Sequence, residues 1–204
     1  MTDTSKVVGV LLAGGLARRM GGGDKCLQEL VGKPLLAYSV DVAKTQVGPL
    51  IINAAGDPAR FASFNLPVVA DVIDGFAGPL AGVLTGMEWA KENQPETEWI
   101  VTFPTDAPFF PDDLVQRLMD EVEKSGAQMA CARSNDRTHP VFALWPVRLA
   151  ADLRRAMVEE DMRKMDGWTA HYNIAHVDWP HTPHDPFFNI NRPEDLERAE
   201  GLIG

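Results

Sequence analysis

The stretch Leu11-Leu12-Ala13-Gly14-Gly15-Leu16-Ala17-Arg18-Arg19-Met20-Gly21-Gly22-Gly23-Asp24-Lys25 sets five glycines and three cations directly after an apolar run. Glycine has no Cβ, so backbone N–H groups in such a loop can turn inward onto an anion. The chain carries 19 basic and 29 acidic residues, a formal net charge of -10, and Arg18, Arg19 and Lys25 are almost its only dense positive cluster. Glycines and cations together describe a cradle for a polyphosphate. The spacing excludes two common phosphate loops. GxxxxGK[ST] fails because Asp24 separates Gly23 from Lys25 and Cys26 stands where Ser or Thr is needed. GxGxxG fails because no glycine follows Gly15 until Gly21.

Three further polar residues stand where apolar runs end: Asn53, Asp71 and Asp106. A carboxylate such as Asp106, before a proline-containing turn and opposite a glycine loop, suits Mg²⁺, which takes one or two carboxylates plus substrate phosphates. Asp71 has an alternative use in the turn at residues 71–75, where Asp74, directly before Gly75, is the stronger turn residue. Asn189 and Asn191 lie two apart, so on extended backbone their side chains share a direction. Asn191 also reads as the N-cap of a final helix, with Glu194 three residues on. His181, His184 and Asp185 lack helical metal-site spacing and are bracketed by prolines, which reads as a solvated loop. Cys26, beside Lys25, is placed for a lowered thiol pKa, although nothing requires it to react. No Ser-His-Asp or Cys-His arrangement suggests itself, so a covalent enzyme intermediate is not expected.

The elements that must position these groups follow from periodicity. Short β-branched runs at residues 7–12, 50–52, 68–70 and 99–103 alternate with helical patterns opened by Pro34, Pro79 and Pro111. Strands alternating with helices give an α/β fold, a three-layer αβα sandwich with a mostly parallel sheet. Ligands of such sheets bind at the carboxyl ends of the strands, where the glycine loop, Asn53, Asp71 and Asp106 all fall. Past Gln128 the sequence suggests strands at residues 129–132 and 141–144 around a polar turn. Helices follow at 149–157 and 162–168, then a strand at 174–177 and the final helix. No linker splits the 204 residues, so residues 1–204 read as one domain.

Composition narrows the partners. Such an acidic chain repels nucleic acid and anionic membranes at long range. The longest apolar run, residues 7–13, is far short of the ~18 residues of a membrane helix, and residues 1–5 are polar with no basic signal region. Cys26 and Cys131 form no CxxC, as expected of reduced cytosolic thiols, and are too few for a cysteine-based zinc site. A cytoplasmic protein without nucleic-acid or membrane partners is expected.

The segment LLAGGLARRMGGGDKCLQELVGKPLL resembles the signature of nucleotidyltransferases, and within them is similar to the molybdenum cofactor guanylyltransferases. The resemblance spans nearly the whole chain. It takes in Asn53-Ala54, Asp71, Gly78-Pro79-Leu80-Ala81-Gly82, Pro104-Thr105-Asp106-Ala107-Pro108, His139-Pro140 and the run from Phe188 to Leu196. It implies a Rossmann-like nucleotidyltransferase sheet with GTP bound by the N-terminal half and the pterin by the C-terminal half. Leu12, Ala13 and Gly14 would contact the guanine, and Gly15 and its loop the triphosphate. Lys25 would bond the phosphates, Asn53 and Asp71 the base or sugar, and Asp106 both GTP and Mg²⁺. His139 would lie near the acceptor, and Asn189 and Asn191 would face the pterin or the metal, with capping as their alternative. The implied reaction joins GMP from GTP to the terminal phosphate of molybdenum-molybdopterin. Other cofactor-biosynthesis proteins and the molybdoenzymes would be its protein partners. Leu12-Ala13-Gly14-Gly15 and Gly78-Pro79-Leu80-Ala81-Gly82 side with the guanine-using group. A cytidylyltransferase for the same cofactor, a sugar-phosphate nucleotidyltransferase and a nucleotide-binding regulator without turnover are the alternatives.

Overall fold

The first strand reads Val-Gly-Val-Leu-Leu, and all but its last residue are buried. That is the mark of a strand covered on both faces, and alternate side chains feed two different cores. Val8 and Val10 join one apolar cluster and Leu11 the other. The computed structural model describes residues 3–14, 23–75 and 78–203. In chain order these form β1 (Val8–Leu12), a ribbon of β2 (Glu29–Leu30) and β3 (Lys33–Pro34), α1 (Leu35–Lys44), β4 (Leu50–Asn53) and β5 (Val68–Val69). There follow α2 (Pro79–Asn93), β6 (Trp99–Pro104), α3 (Leu114–Ser125), β7 (Met129–Ser134), β8 (Arg137–Pro146), α4 (Ala150–Glu159), α5 (Met165–Thr169), β9 (Ile174–Trp179) and α6 (Pro193–Glu200).

Seven strands form one sheet in the order β5-β4-β1-β6-β8-β7-β9. The pairs β5–β4, β4–β1, β1–β6 and β7–β9 are parallel, while β8 runs against both β6 and β7. The mostly parallel sheet expected from the alternation of elements is therefore present. On one face, α1 and α3 pack Leu36, Val40, Leu114 and Leu118 against Leu11 and Phe103. On the other, α2, α4 and α5 supply Leu80, Leu84, Met87, Leu153 and Trp168. The buried Thr102 on β6 donates to the Val141 carbonyl (2.8 Å) and accepts from the Trp145 indole N–H (2.9 Å). A buried indole N–H ordinarily needs such a partner.

Three helix starts differ from the sequence reading; the helix expected at 162–168 begins only at Met165. Pro111 was expected to open the third helix with Asp112 and Asp113 at its positive end, but α3 begins at Leu114. Residues 111–113 form a turn, and the Asp113 carboxylate accepts from the Trp179 indole instead (2.9 Å). The orphan N–H of Val115 is satisfied by Gln46, beyond the end of α1, whose Oε1 accepts it at 3.0 Å while its Nε2 donates to the Pro111 carbonyl (3.0 Å). The last helix also starts one residue later than expected. Arg192 holds the N-cap position, Pro193 is the first helical residue, and Asp195 accepts the N–H groups of Asn191 (2.8 Å) and Arg192 (2.9 Å). Proline fits that first position because its missing N–H would be an orphan there anyway. The capping carboxylate is thus Asp195, not Glu194, and the Asn191 side chain is free of capping.

The β2–β3 ribbon turns at Val31-Gly32, with φ of 51° and 72°. A β-branched residue in the left-handed region is strained, at about 1–2 kcal/mol. Val31 is 62% exposed, so little packing compensates. Val31→Asn introduces the Asn-Gly pair that a two-residue hairpin turn prefers. It should raise stability by about 1 kcal/mol, seen as a higher urea midpoint with an unchanged slope. An unchanged or lower midpoint contradicts the assignment of strain.

Candidate active site

The parallel register brings several strand ends to one level. Leu12 pairs with Asn53 on one side and Pro104 on the other, and Asn53 pairs with Val69. The chain leaving each strand carries Ala13-Gly14, Ala54-Ala55, Ala70-Asp71 and Thr105-Asp106. Between them opens a cleft of about 470 Å³ whose lining includes Leu12, Gly14, Lys25, Asn53, Asp71 and Asp106. Of the expected nucleotide-site residues, Ala13 is buried just beneath it, its N–H donating to the Asn53 carbonyl (2.9 Å). Gly15, with Arg18 and Arg19, lies outside the described residues.

Asn53 is buried and held in a fixed orientation. Its Nδ2 donates to the Val69 carbonyl (3.2 Å) and to Asp71 Oδ1 (2.9 Å), joining the two residues across the β4–β5 edge. The room for its Oδ1 comes from α2. A Cβ at Gly82 would stand 2.5 Å from Asn53 Oδ1 and 2.5 Å from Leu12 Cδ2. The glycine in Gly78-Pro79-Leu80-Ala81-Gly82 is therefore a matter of clearance for two site residues. Across the cleft, the Thr105 hydroxyl donates to the Leu12 carbonyl (3.1 Å), tying the turn after β6 to β1.

Lys25 opens a single 3-10 turn, Lys25–Leu27. Its Nζ donates to Asp106 Oδ2 at 2.7 Å and to Asn191 Oδ1 at 2.6 Å. The Lys25 side chain is only 13% exposed and Asp106 31%, so solvent screens the pair less than a surface bridge. Ile190 N–H donates to the Asp106 carbonyl (2.7 Å), which docks the Asn189–Asn191 segment against the turn. Asn189 lines the cleft with Asp106, whereas Asn191 reaches it through Lys25.

His139 does not line the cleft; Val141, two residues on, does. The ring is buried against Phe187, with centroids 4.7 Å apart, and its Nε2 shares a hydrogen bond with Ser134 Oγ (2.8 Å). Ser134 Oγ also lies 2.9 Å from Asp185 Oδ1, which accepts the Phe187 N–H (2.9 Å). A Ser-His-Asp cluster therefore exists that spacing did not reveal. The serine sits in the middle, between histidine and carboxylate, and is 1% exposed. That geometry braces a loop and cannot relay a proton from an accessible nucleophile. Asp185 thus leaves the expected solvated loop, while residues 181–184 are exposed. The Cys26 expectation is reversed. Burial, then the Asp24 carboxylate, pushes its thiol up to about 12, so it is an inert core residue. Arg60 and Ser134 were not singled out from sequence, and Asp185 was read only within a solvated loop, since the Arg60–Asp24 and Ser134–Asp185 contacts join distant segments.

The geometry finds company among known proteins. The family model described as the MobA-like NTP transferase domain matches residues 9–174. A curated relative from Rhodopseudomonas palustris (strain BisB5), a molybdenum cofactor guanylyltransferase, is 54% identical and aligns over 99% of this chain and 96% of its own. Molybdopterin-guanine dinucleotide biosynthesis protein A from Archaeoglobus fulgidus shares the fold with a TM-score of 0.76 at 22% identity, over 97% of this chain and 98% of that one. Rv0371C from Mycobacterium tuberculosis, solved in complex with manganese, superposes with a TM-score of 0.68 at 16% identity, covering 96% and 98%.

The His139 environment generates a pH prediction. Burial lowers the pKa of the ring, and nearby Asp185 only partly offsets it. The unfolded chain therefore takes up a proton below roughly pH 6.5 before the folded one does. Stability contributed by the neutral ring is full above that pH and is lost as pH falls toward the folded pKa. Urea unfolding at pH 7.5 and 5.5 should show a smaller loss for His139→Gln than for the unmodified chain. Equal losses in the two proteins would refute it.

Proposed function

We propose a division of work at this cleft from one premise: the chain belongs to the molybdenum cofactor guanylyltransferases, MobA-like NTP transferases, and joins the GMP of GTP to the terminal phosphate of molybdopterin. The observation that carries the division is the Lys25–Asp106 contact of 2.7 Å at the cleft. A cation and a carboxylate meet there beside the strand ends.

In this reading Leu12, Ala13, Gly14, Asn53 and Asp71 receive the guanosine. Asn53 is the fixed member, because both hydrogens of its amide are already committed to Val69 and Asp71. Gly15 and the loop after it cradle the triphosphate, and Lys25 bonds the phosphates. The acceptor phosphate is a monoester with a second pKa of about 6, so it is largely ionised at neutral pH and needs no general base. Its oxygen forms a bond to the α-phosphorus as the bond from that phosphorus to the β-phosphate oxygen breaks, and pyrophosphate leaves. Catalysis is then positioning and charge stabilisation, the work of Lys25 and the loop N–H groups.

The side chains suit Mg²⁺ as the partner of the triphosphate. Among the described residues no three His, Cys, Asp or Glu side chains gather as a complete cage. One carboxylate, Asp106, with the Asn189 amide at the same cleft, is the sparse oxygen set of a cation that takes its other ligands from phosphate and water. Bound there, the ion would neutralise charge on the phosphates. Asn189 and Asn191, with the His139 cluster behind them, would border the pterin side. No described helix is long and apolar enough to cross a membrane, in keeping with soluble substrates.

Pyrophosphate release from GTP in the presence of molybdopterin tests the reading. Asp106→Ala should cut kcat by about 10²–10³-fold, the loss typical of removing one preorganised charge-stabilising group. Lys25→Ala should lower kcat and raise KM together, because it serves ground and transition states alike. Retained turnover with unchanged magnesium dependence in Asp106→Ala would move the metal elsewhere.

Base choice is tested in the same assay. A site that pairs with the guanine edge leaves buried polar groups unpaired against cytosine, so GTP should exceed CTP in kcat/KM by orders of magnitude. Similar values for the two would favour a cytidylyltransferase.

A further inference from the structure

We infer that Arg60 is a positioning residue for the phosphate end of the cleft, holding Asp24 and so the neighbouring Lys25 against the loop that forms the opposite wall. The inference rests on the GTP reading above. Arg60 lies in the 3-10 segment Pro58–Phe64, opened by Asp57, whose carboxylate accepts the Ala59 N–H (2.9 Å). Its guanidinium faces three partners at once. Nη1 donates to the Asp57 carbonyl (2.7 Å), and Nη2 donates to the Ala55 carbonyl. Nε stands 2.6 Å from Asp24 Oδ2 as an ion contact, without hydrogen-bond alignment. The plane is fixed further by the Phe61 ring, 4.5 Å away and fully buried.

These contacts join two segments that the sheet alone leaves separate. Asp24 precedes Lys25 at the exit of the glycine loop, and the Leu27 N–H donates to its carbonyl (3.1 Å). Ala54 and Ala55 leave β4 beside Asn53 and line the cleft. Gly56, with φ of 81°, makes the turn that points the carbonyls of Ala55 and Asp57 at one guanidinium. A Cβ on Gly56 would come 3.1 Å from Nη1. Arg60 itself does not line the cleft, so it acts through Lys25 and Ala55.

The charge balance supports the same role. A carboxylate next to Lys25 opposes a polyphosphate unless it is neutralised. Asp24 and Arg60 are 22% and 26% exposed, sheltered enough for the pair to offset most of that repulsion. Arginine suits the task because its planar fork meets several acceptors in one rigid arrangement, which a lysine ammonium on a flexible stem does not.

The experiment compares equilibrium binding of GTP and GMP by calorimetry, with thermal melting as a check on folding. Arg60→Ala should weaken GTP by about tenfold, a coupling of ordinary size for contacting residues, and GMP by much less. Arg60→Lys keeps the charge and most of the stem, so it should melt near the unmodified protein yet retain the GTP-selective loss. Asp24→Ala in the Arg60→Ala background should recover part of the GTP affinity, because it removes the unneutralised carboxylate. A merely structural Arg60 predicts equal losses for GTP and GMP that follow the melting temperature, and an additive double variant. Either outcome overturns the inference, as does wild-type GTP affinity in Arg60→Ala. Failure of the unmodified protein to bind GTP overturns the underlying reading and this inference with it.

Discussion

A single ammonium group, that of Lys25, is shared between Asp106 and Asn191 at 2.7 and 2.6 Å, and the fold is arranged to bring these three side chains to one point. Lys25 comes from the loop after β1, Asp106 from the turn after β6, and Asn191 from the segment before α6. Parallel pairing of β1 with β6 sets the first two side by side. The Ile190–Asp106 backbone bond adds the third. Other ion pairs occur among the described residues, but in this one the cation is the least exposed, at 13%. Guanylyl transfer brings together two phosphate groups that repel each other, and positive charge already held in place lowers the barrier to that approach.

The cost of this arrangement falls on packing between α2 and the sheet. Gly86 lies over β1, and a Cβ there would come 2.5 Å from Val10 Cγ2; Gly82, one turn earlier, clears Asn53 and Leu12 in the same way. The helix approaches closely because both side chains are absent, and the gain is a cleft wall that holds an amide and a leucine at fixed positions. Glycine inside a helix sacrifices roughly 0.5–1 kcal/mol relative to alanine. The cores on both faces of the sheet carry that loss, with Trp145, Trp168 and Phe103 fully buried.

Much of this was legible in the sequence, and the reasons differ by element. β1, β4, β6 and α2 follow from hydrophobic period and from proline at helix starts. Asn53, Asp71 and Asp106, at or just after the ends of β4, β5 and β6, share one edge because those strands are parallel, and the cleft opens there. Helix starts at Leu114 and Pro193 were misjudged by a few residues. In each, the group that satisfies the orphan N–H is not the residue that local capping rules favour: Gln46 lies 69 residues from Val115, and Asp195 takes the role expected of Asn191 and Glu194. Cys26 was misjudged for a related reason, since adjacency to Lys25 in sequence said nothing of the burial that dominates its thiol. The Arg60–Asp24 and Ser134–Asp185 contacts escaped notice because each joins residues far apart in the chain.

The antiparallel strand β8 extends the edge at which the cleft opens. Were β8 parallel to β6, its polar start would lie at the far side of the sheet from Asp106. Because it runs the other way, Val101 pairs with Leu144 and the earlier residues of β8 rise beside the end of β6. Val141 thereby enters the cleft lining, and His139 pairs with Ala132 on β7, its ring within reach of the Ser134 hydroxyl. The edge is continuous from Asp71 at one end, through Asn53, Leu12 and Asp106, to the His139 cluster at the other. A nucleotide over the four parallel strands and an acceptor over the remaining three would then approach from opposite sides of Asp106. Only one strand reversal is needed to give a nucleotide-binding sheet a second half that faces the same way.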